Sequence, residues 1–154
     1  MTSERIPIAS DHAGYELKAV LAERLAARGF AVEDLGPDAP ESADYPDYGH
    51  PLAAMVAAGD CRRGVLTCGT GLGMSYVANR YPGVRAAVAW SPEVAALARQ
   101  HNDANVLVLP ARFVSADEAG RILDAWLDTA FEGGRHERRV GKIERAAAAA
   151  EGGE

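Results

Sequence analysis

An α/β fold, a parallel sheet of five strands with helices on both faces, is what this chain of 154 residues predicts. Three observations carry that expectation. Short apolar runs bounded by glycine, proline or polar residues recur along the chain; stretches with apolar residues at helical spacing alternate with them; and helix-start signals follow directly on the runs. Strands that alternate with helices pack as a parallel sheet joined by right-handed crossovers. With 48% hydrophobic and 25% charged residues, the composition suits one well-cored domain over residues 1–154.

The elements follow in order. Ile6 to Ser10 is a short apolar strand, and a helix from about Ala13 to Arg28 carries Leu17, Val20, Leu21 and Leu25 at helical spacing before Gly29 stops it. Phe30 to Leu35 is the second strand, and it runs into a proline-rich, acidic loop from Gly36 to Asp47. Pro51 to Ala58 has helix-forming composition. Gly64 to Cys68 is an apolar third strand that opens into glycines, with a helix over Gly73 to Asn79. Val84 to Trp90 is the fourth strand, and Ser91-Pro92-Glu93 then supplies an N-cap, a proline at the first helical position and an early acidic residue for a helix to about His101. Val106 to Leu109 is the fifth strand, and Ser115-Ala116-Asp117-Glu118 has the capping-box pattern ahead of Ile122, Leu123, Trp126 and Leu127. A last helix starts at about Arg135 and ends in an alanine-rich tail that is expected to fray over about 147–154.

Charge and cysteine usage narrow the functions. A formal charge of −6 disfavours a general nucleic-acid or anionic-membrane surface, and no apolar run approaches the roughly 18 residues a membrane helix needs. The polar start, Met1 to Arg5, leads straight into a strand without the pattern of a secretory leader, so a cytoplasmic location is expected. Cys61 and Cys68, the only cysteines, are expected to stay reduced, and His12, His50, His101 and His136 show no metal-ligand spacing, so no metal is expected.

The segment Leu66-Thr67-Cys68-Gly69-Thr70-Gly71-Leu72-Gly73-Met74-Ser75 carries the most chemistry. It places a thiol and a hydroxyl at the carboxyl end of a buried strand, the edge where open α/β sheets bind ligands. Glycines at 69, 71 and 73 let backbone N–H groups approach a small anion. Met74 stands where a dinucleotide fingerprint needs its third glycine, and the lysine of a phosphate-binding P-loop is missing, so nicotinamide and nucleoside triphosphate cofactors are disfavoured. Asp11 and His12 would lie at the same sheet edge as Cys68. His101 ends a helix in the polar run Arg99 to Asn105, where helix capping accounts for it about as well as catalysis does. Arg135 and Arg139 lie four apart on one helical face, a spacing that can clamp a phosphate.

Together these residues resemble the type B ribose-5-phosphate isomerases and the related galactose-6-phosphate isomerase subunits. The resemblance runs from Ser10-Asp11-His12-Ala13-Gly14 through Asp44-Tyr45-Pro46, Cys68-Gly69-Thr70-Gly71, Ala78-Asn79 and Arg99-Gln100-His101-Asn102-Asp103 to Glu132-Gly133-Gly134-Arg135-His136. It implies a Rossmann-like three-layer fold and an aldose–ketose isomerase without cofactor, working as a homodimer or dimer of dimers whose active sites are shared between subunits. It also implies roles. Cys68 would be the base that moves a proton between C1 and C2, and Thr70 would assist at the sugar oxygens. Gly69, Gly71 and Gly73 would stabilise the enediolate, and His101, with Asp11 nearby, would open the sugar ring. His12, Arg135 and Arg139 would hold the phosphate with support from Arg112, while Tyr45 and Asn102 would line the pocket. Ser75, also expected in the substrate site, stands where one branch of the family carries a glutamate base, which assigns this chain to the thiol branch.

Other readings stay open at the level of sequence: the same chemistry on allose or galactose 6-phosphate or a tetrose phosphate, a non-catalytic sugar-phosphate sensor, and a thiol-redox protein built on Cys61 and Cys68.

Overall fold

The computed structural model describes residues 3–152, with side chains through residue 144. Five parallel strands, β1 (Arg5–Ser10), β2 (Ala31–Asp34), β3 (Gly64–Cys68), β4 (Ala86–Val88) and β5 (Val106–Pro110), form one sheet in the order β2-β1-β3-β5-β4. The helices are α1 (Tyr15–Ala27), α2 (Tyr45–Ala57), α3 (Leu72–Ala78), α4 (Pro92–Asn102), α5 (Ala116–Asp128) and α6 (Arg135–Gly152).

Alternation along each strand builds two cores, because successive side chains point to opposite faces. Ile6, Ile8, Val65, Leu107 and Leu109 pack with Leu21 and Leu25 of α1 and Ile122, Leu123 and Trp126 of α5. Ala9, Leu66, Cys68, Val106 and Val108 face the other way, onto Leu52 and Val56 of α2 and Met74 and Ala78 of α3. A parallel sheet buried on both faces needs such near-continuous apolar strands, and β3 and β5 are buried at every position. The Ser115 capping box is formed, with Glu118 N–H on the Ser115 hydroxyl at 3.1 Å. Ser91 likewise accepts from Val94 N–H at 3.2 Å.

The structure departs from expectation at α2. The helix begins at Tyr45, so the preceding loop ends at Asp44 and not at Asp47. Pro46 lies in the first turn, where a missing N–H costs nothing, and Pro51 removes only one hydrogen bond inside the helix. β4 is also shorter than Val84 to Trp90, pairing β5 only over Ala86 to Val88. The backbone of α6 is helical through Gly152, within the stretch expected to fray, while Gly153 and Glu154 lie outside the described residues.

Candidate active site

Strand order decides where a ligand fits. From β1 the chain crosses to β2 on one side, whereas β3 lies on the other, so the connections leaving β1 and β3 diverge and open a crevice at their carboxyl ends. A cleft of about 230 Å³ occupies that crevice, lined by Asp11, His12, Ala13, Tyr45, Cys68, Gly69, Thr70, Gly73 and Arg112.

Cys68 ends β3, is only 4% exposed, and is among the residues lining the cleft. The Gly71 N–H donates to Cys68 Sγ at 3.2 Å, and the Leu72 N–H donates to Thr70 Oγ1 at 3.2 Å. Gly71 is at φ 79°, in the left-handed region where a side chain is strained, and a Cβ there would press on Val88 at 3.1 Å. Its amide is therefore aimed at the sulfur, not into an open anion cradle as the sequence suggests. A thiolate accepts such a bond better than a thiol does.

The cleft walls come from three other segments. Asp11 is buried and accepts from Gly14 N–H at 3.0 Å, which seats the start of α1. His12 Nδ1 faces the backbone of Ala43, 3.1 Å from its N–H and 3.3 Å from its carbonyl oxygen, so either tautomer finds a partner there. Tyr45, placed at the rim by the early start of α2, stacks so closely on Gly73 that a Cβ there would meet its ring at 2.7 Å. Arg112 follows β5, donates its N–H to Gly69 O at 3.0 Å and lays its guanidinium against Gly69.

The remaining expected residues are elsewhere in the chain. α4 crosses back from β4 to β5, so its last turn lies at the amino edge of the sheet, opposite Cys68. His101 and Asn102 occupy that turn, and Arg135 and Arg139 are exposed on the first turns of α6 nearby. Asp11 and His101 are thus not neighbours within one chain, because β5 alone separates the edges by roughly 13 Å. Asn102 lines a separate cleft of about 510 Å³ with Tyr81, Arg85 and Ile143. Ser75 is also outside the site: it is buried and donates to Leu72 O at 2.7 Å within α3.

Both cysteines are free and buried. Cys61 precedes β3 and Cys68 ends it, so the strand between them holds the pair beyond the roughly 7 Å Cα separation a disulfide spans. The redox reading has no geometry to support it.

Sequence reasoning missed two residues. Lys18 lies on the buried face of α1, 2% exposed, with Nζ on Asp34 Oδ1 at 2.8 Å and Pro37 O at 2.7 Å, and so ties down the loop that carries Ala43. A lysine one position from Leu17 and three from Leu21 was its signal. His136 is 6% exposed and stacks on His101, ring centroids 4.3 Å apart and planes 12° from parallel. Its Nε2 lies 3.6 Å from Glu132 Oε2. Burial, then His101 and Arg135, push the His136 pKa below the usual histidine value, against the pull of Glu132. His101, Glu132 and His136 hold donor atoms within 4.8 Å of one another. Parallel imidazole planes do not aim both lone pairs at one ion, so the arrangement is a stack and not a ligand set.

Comparison with known proteins agrees with this architecture. A model described as ribose/galactose isomerase matches residues 6–143. Ribose-5-phosphate isomerase B of Escherichia coli is 44% identical over 140 residues, covering 91% of this chain and 94% of the relative. The structure of the Clostridium thermocellum ribose-5-phosphate isomerase B superposes with a TM-score of 0.93 at 49% identity, covering 95% of this chain and 99% of that one. The Mycoplasma genitalium ribose-5-phosphate isomerase B with bound ribulose-5-phosphate superposes at 0.91 with 45% identity, covering 96% and 99% of the two chains. The chain belongs to the ribose/galactose isomerase family.

Proposed function

We propose that this protein interconverts ribose 5-phosphate and ribulose 5-phosphate. The observation that carries the reading is Cys68, its sulfur bonded by the Gly71 amide, in the lining of one cleft with Asp11, His12, Thr70 and Arg112. It is supported by relatives named for that reaction and by one of them with bound ribulose-5-phosphate.

In this mechanism the Cys68 thiolate removes the hydrogen from C2 of the open-chain aldose. Electrons move from the broken C–H bond into the C1–C2 bond, charge develops on O1, and a cis-enediol(ate) forms. Thr70 passes a proton between the two sugar oxygens, and the same sulfur returns its proton to C1. Preorganised donors at the developing oxyanion supply the largest stabilisation in such steps. With the Gly71 and Leu72 amides bonded to Cys68 Sγ and Thr70 Oγ1, the donors left for that oxygen are the amides of Gly69 and Gly73 and the Arg112 guanidinium, all from residues that line the cleft. No cofactor has a part in the scheme.

One chain holds half of the required machinery at each sheet edge. We infer that the working form is a homodimer or a dimer of dimers. His101 and Asn102, with Arg135 and Arg139, from a second copy complete the cleft around Cys68, opening the ring and clamping the phosphate with His12. We place it in the cytoplasm; no helix among the described residues is long and apolar enough to cross a membrane.

The test is a sugar-phosphate panel with the wild type and Cys68→Ala. Ribose 5-phosphate ranks first and the variant loses about a hundredfold or more in kcat, the scale of a removed general base. Preference for a hexose 6-phosphate or a tetrose phosphate would reassign the substrate, and wild-type turnover by the variant would remove Cys68 from the chemistry.

A further inference from the structure

We propose that His136 is a positioning residue for ring opening, holding the His101 imidazole in its working plane, with Glu132 fixing His136 in turn. The inference rests on the reading of His101 given above. Three observations carry it.

The first is the stack itself: His101 is half-buried at the end of α4, and its ring lies flat against that of buried His136. The second is that hydrogen bonds between α4 and the segment leading into α6 hold the two rings together. Glu132 N–H donates to Gln100 O at 3.1 Å, Arg99 Nε donates to Thr129 O at 3.2 Å, and His136 N–H donates to Gly133 O at 3.1 Å. Gly133 at φ 70° and Gly134 at φ 58° turn the chain sharply, so that α6 starts beneath the last turn of α4. The third is that His136 Nε2 is buried with no hydrogen-bond partner among the described residues, while the exposed Glu132 carboxylate is 3.6 Å away. A modest rotation of that carboxylate closes a hydrogen bond and sets the His136 ring orientation.

Ring opening demands orientation. The C1–O4 bond of the furanose breaks, the ring oxygen gains a proton, and the C1 hydroxyl gives one up as the aldehyde forms, so protons balance. An imidazole serving this exchange must meet the oxygens edge-on, and a misplacement near 1 Å costs up to about a hundredfold. His136 touches no substrate atom in this scheme and acts through His101.

The two sugars separate this role from a general structural one. Ribose 5-phosphate closes a furanose through O4, whereas ribulose 5-phosphate, with its keto group at C2 and O5 phosphorylated, stays open. Exchange of the C1 hydrogen of ribulose 5-phosphate with D2O therefore needs the thiol side of the site and no ring opening. The experiment measures ribose 5-phosphate turnover and that exchange in the wild type, His136→Leu, His136→Phe and Glu132→Ala. His136→Leu is expected to lose about tenfold or more in turnover while keeping exchange within about twofold. His136→Phe, which preserves a planar stack, stays within about threefold of the wild type in both. Glu132→Ala, an exposed change that leaves the fold intact, shows a milder drop in turnover alone. Unchanged turnover in both His136→Leu and Glu132→Ala overturns the proposal. So does an exchange rate that falls in parallel or is not measurable. A wild type without turnover of ribose 5-phosphate overturns the substrate reading itself, a separate result.

Discussion

The Gly14 backbone lies flush against Thr67, whose hydroxyl donates to Gly14 O at 3.0 Å. A Cβ on Gly14 would be 1.8 Å from Thr67 Oγ1 and 2.7 Å from the Thr67 carbonyl oxygen. This contact docks the start of α1 on β3, and it sets Asp11 and His12 beside Cys68. Gly14→Ala is expected to cost about 1–3 kcal/mol in chemical denaturation, the usual scale of overpacking, and to lower activity further by shifting Asp11. Unchanged stability would mean that α1 can lift from β3 freely.

The proposed sharing of each site between two copies has a direct test in subunit mixing. In the proposed homodimer, Cys68→Ala and His101→Ala proteins are each expected to be inactive at both sites. In a mixed dimer one site combines the intact thiol with the intact histidine. Random reassembly makes half the dimers mixed with one of two sites active, so about a quarter of wild-type activity returns. No recovery, with mixed dimers demonstrated by mass spectrometry, would mean that His101 of one copy does not serve the Cys68 cleft of another.

Lys18 anchors the loop leading to the active-site rim through Asp34 and the Pro37 carbonyl. Lys18→Met retains the apolar stem but leaves the buried carbonyl without a donor, at a cost of about 1–3 kcal/mol. Because the same loop carries the Ala43 amide on His12, KM should rise more than kcat falls. A variant as stable as the wild type would show that water replaces the ammonium.

Glu4 accepts two bonds from Arg63, at 2.9 and 2.8 Å. The Arg63 hydrogen bonds hold the Glu4 carboxyl below its ordinary value of 4.5, against the opposing effect of burial. A carboxylate depressed in the folded state releases its proton more readily there than in the unfolded chain. Its stabilisation is therefore complete above the unfolded value and is lost as pH falls through the folded one. Denaturation curves for Glu4→Gln and the wild type should differ at neutral pH and converge in acid. A difference constant across that range would exclude the ionic contribution.

The sequence by itself determined what local physics determines. Glycine-bounded apolar runs located β3 to the residue, Ser91 and Ser115 marked the starts of α4 and α5 through their caps, and the glycines after Cys68 marked the turn into α3 beside the cleft. It misread α2, because a proline's effect depends on its position within a turn, and Pro46 in the first turn is harmless. Tertiary structure alone decided that the expected site residues divide between opposite edges. A crossover helix in a parallel sheet ends at the edge opposite the one where it began, which takes His101 away from Cys68. It also decided that Lys18 would be buried and that His136 would stack on His101, since both contacts join segments far apart in the chain. Periodicity and capping act within a few residues of their cause, whereas an active site is a meeting of chain segments that only packing arranges.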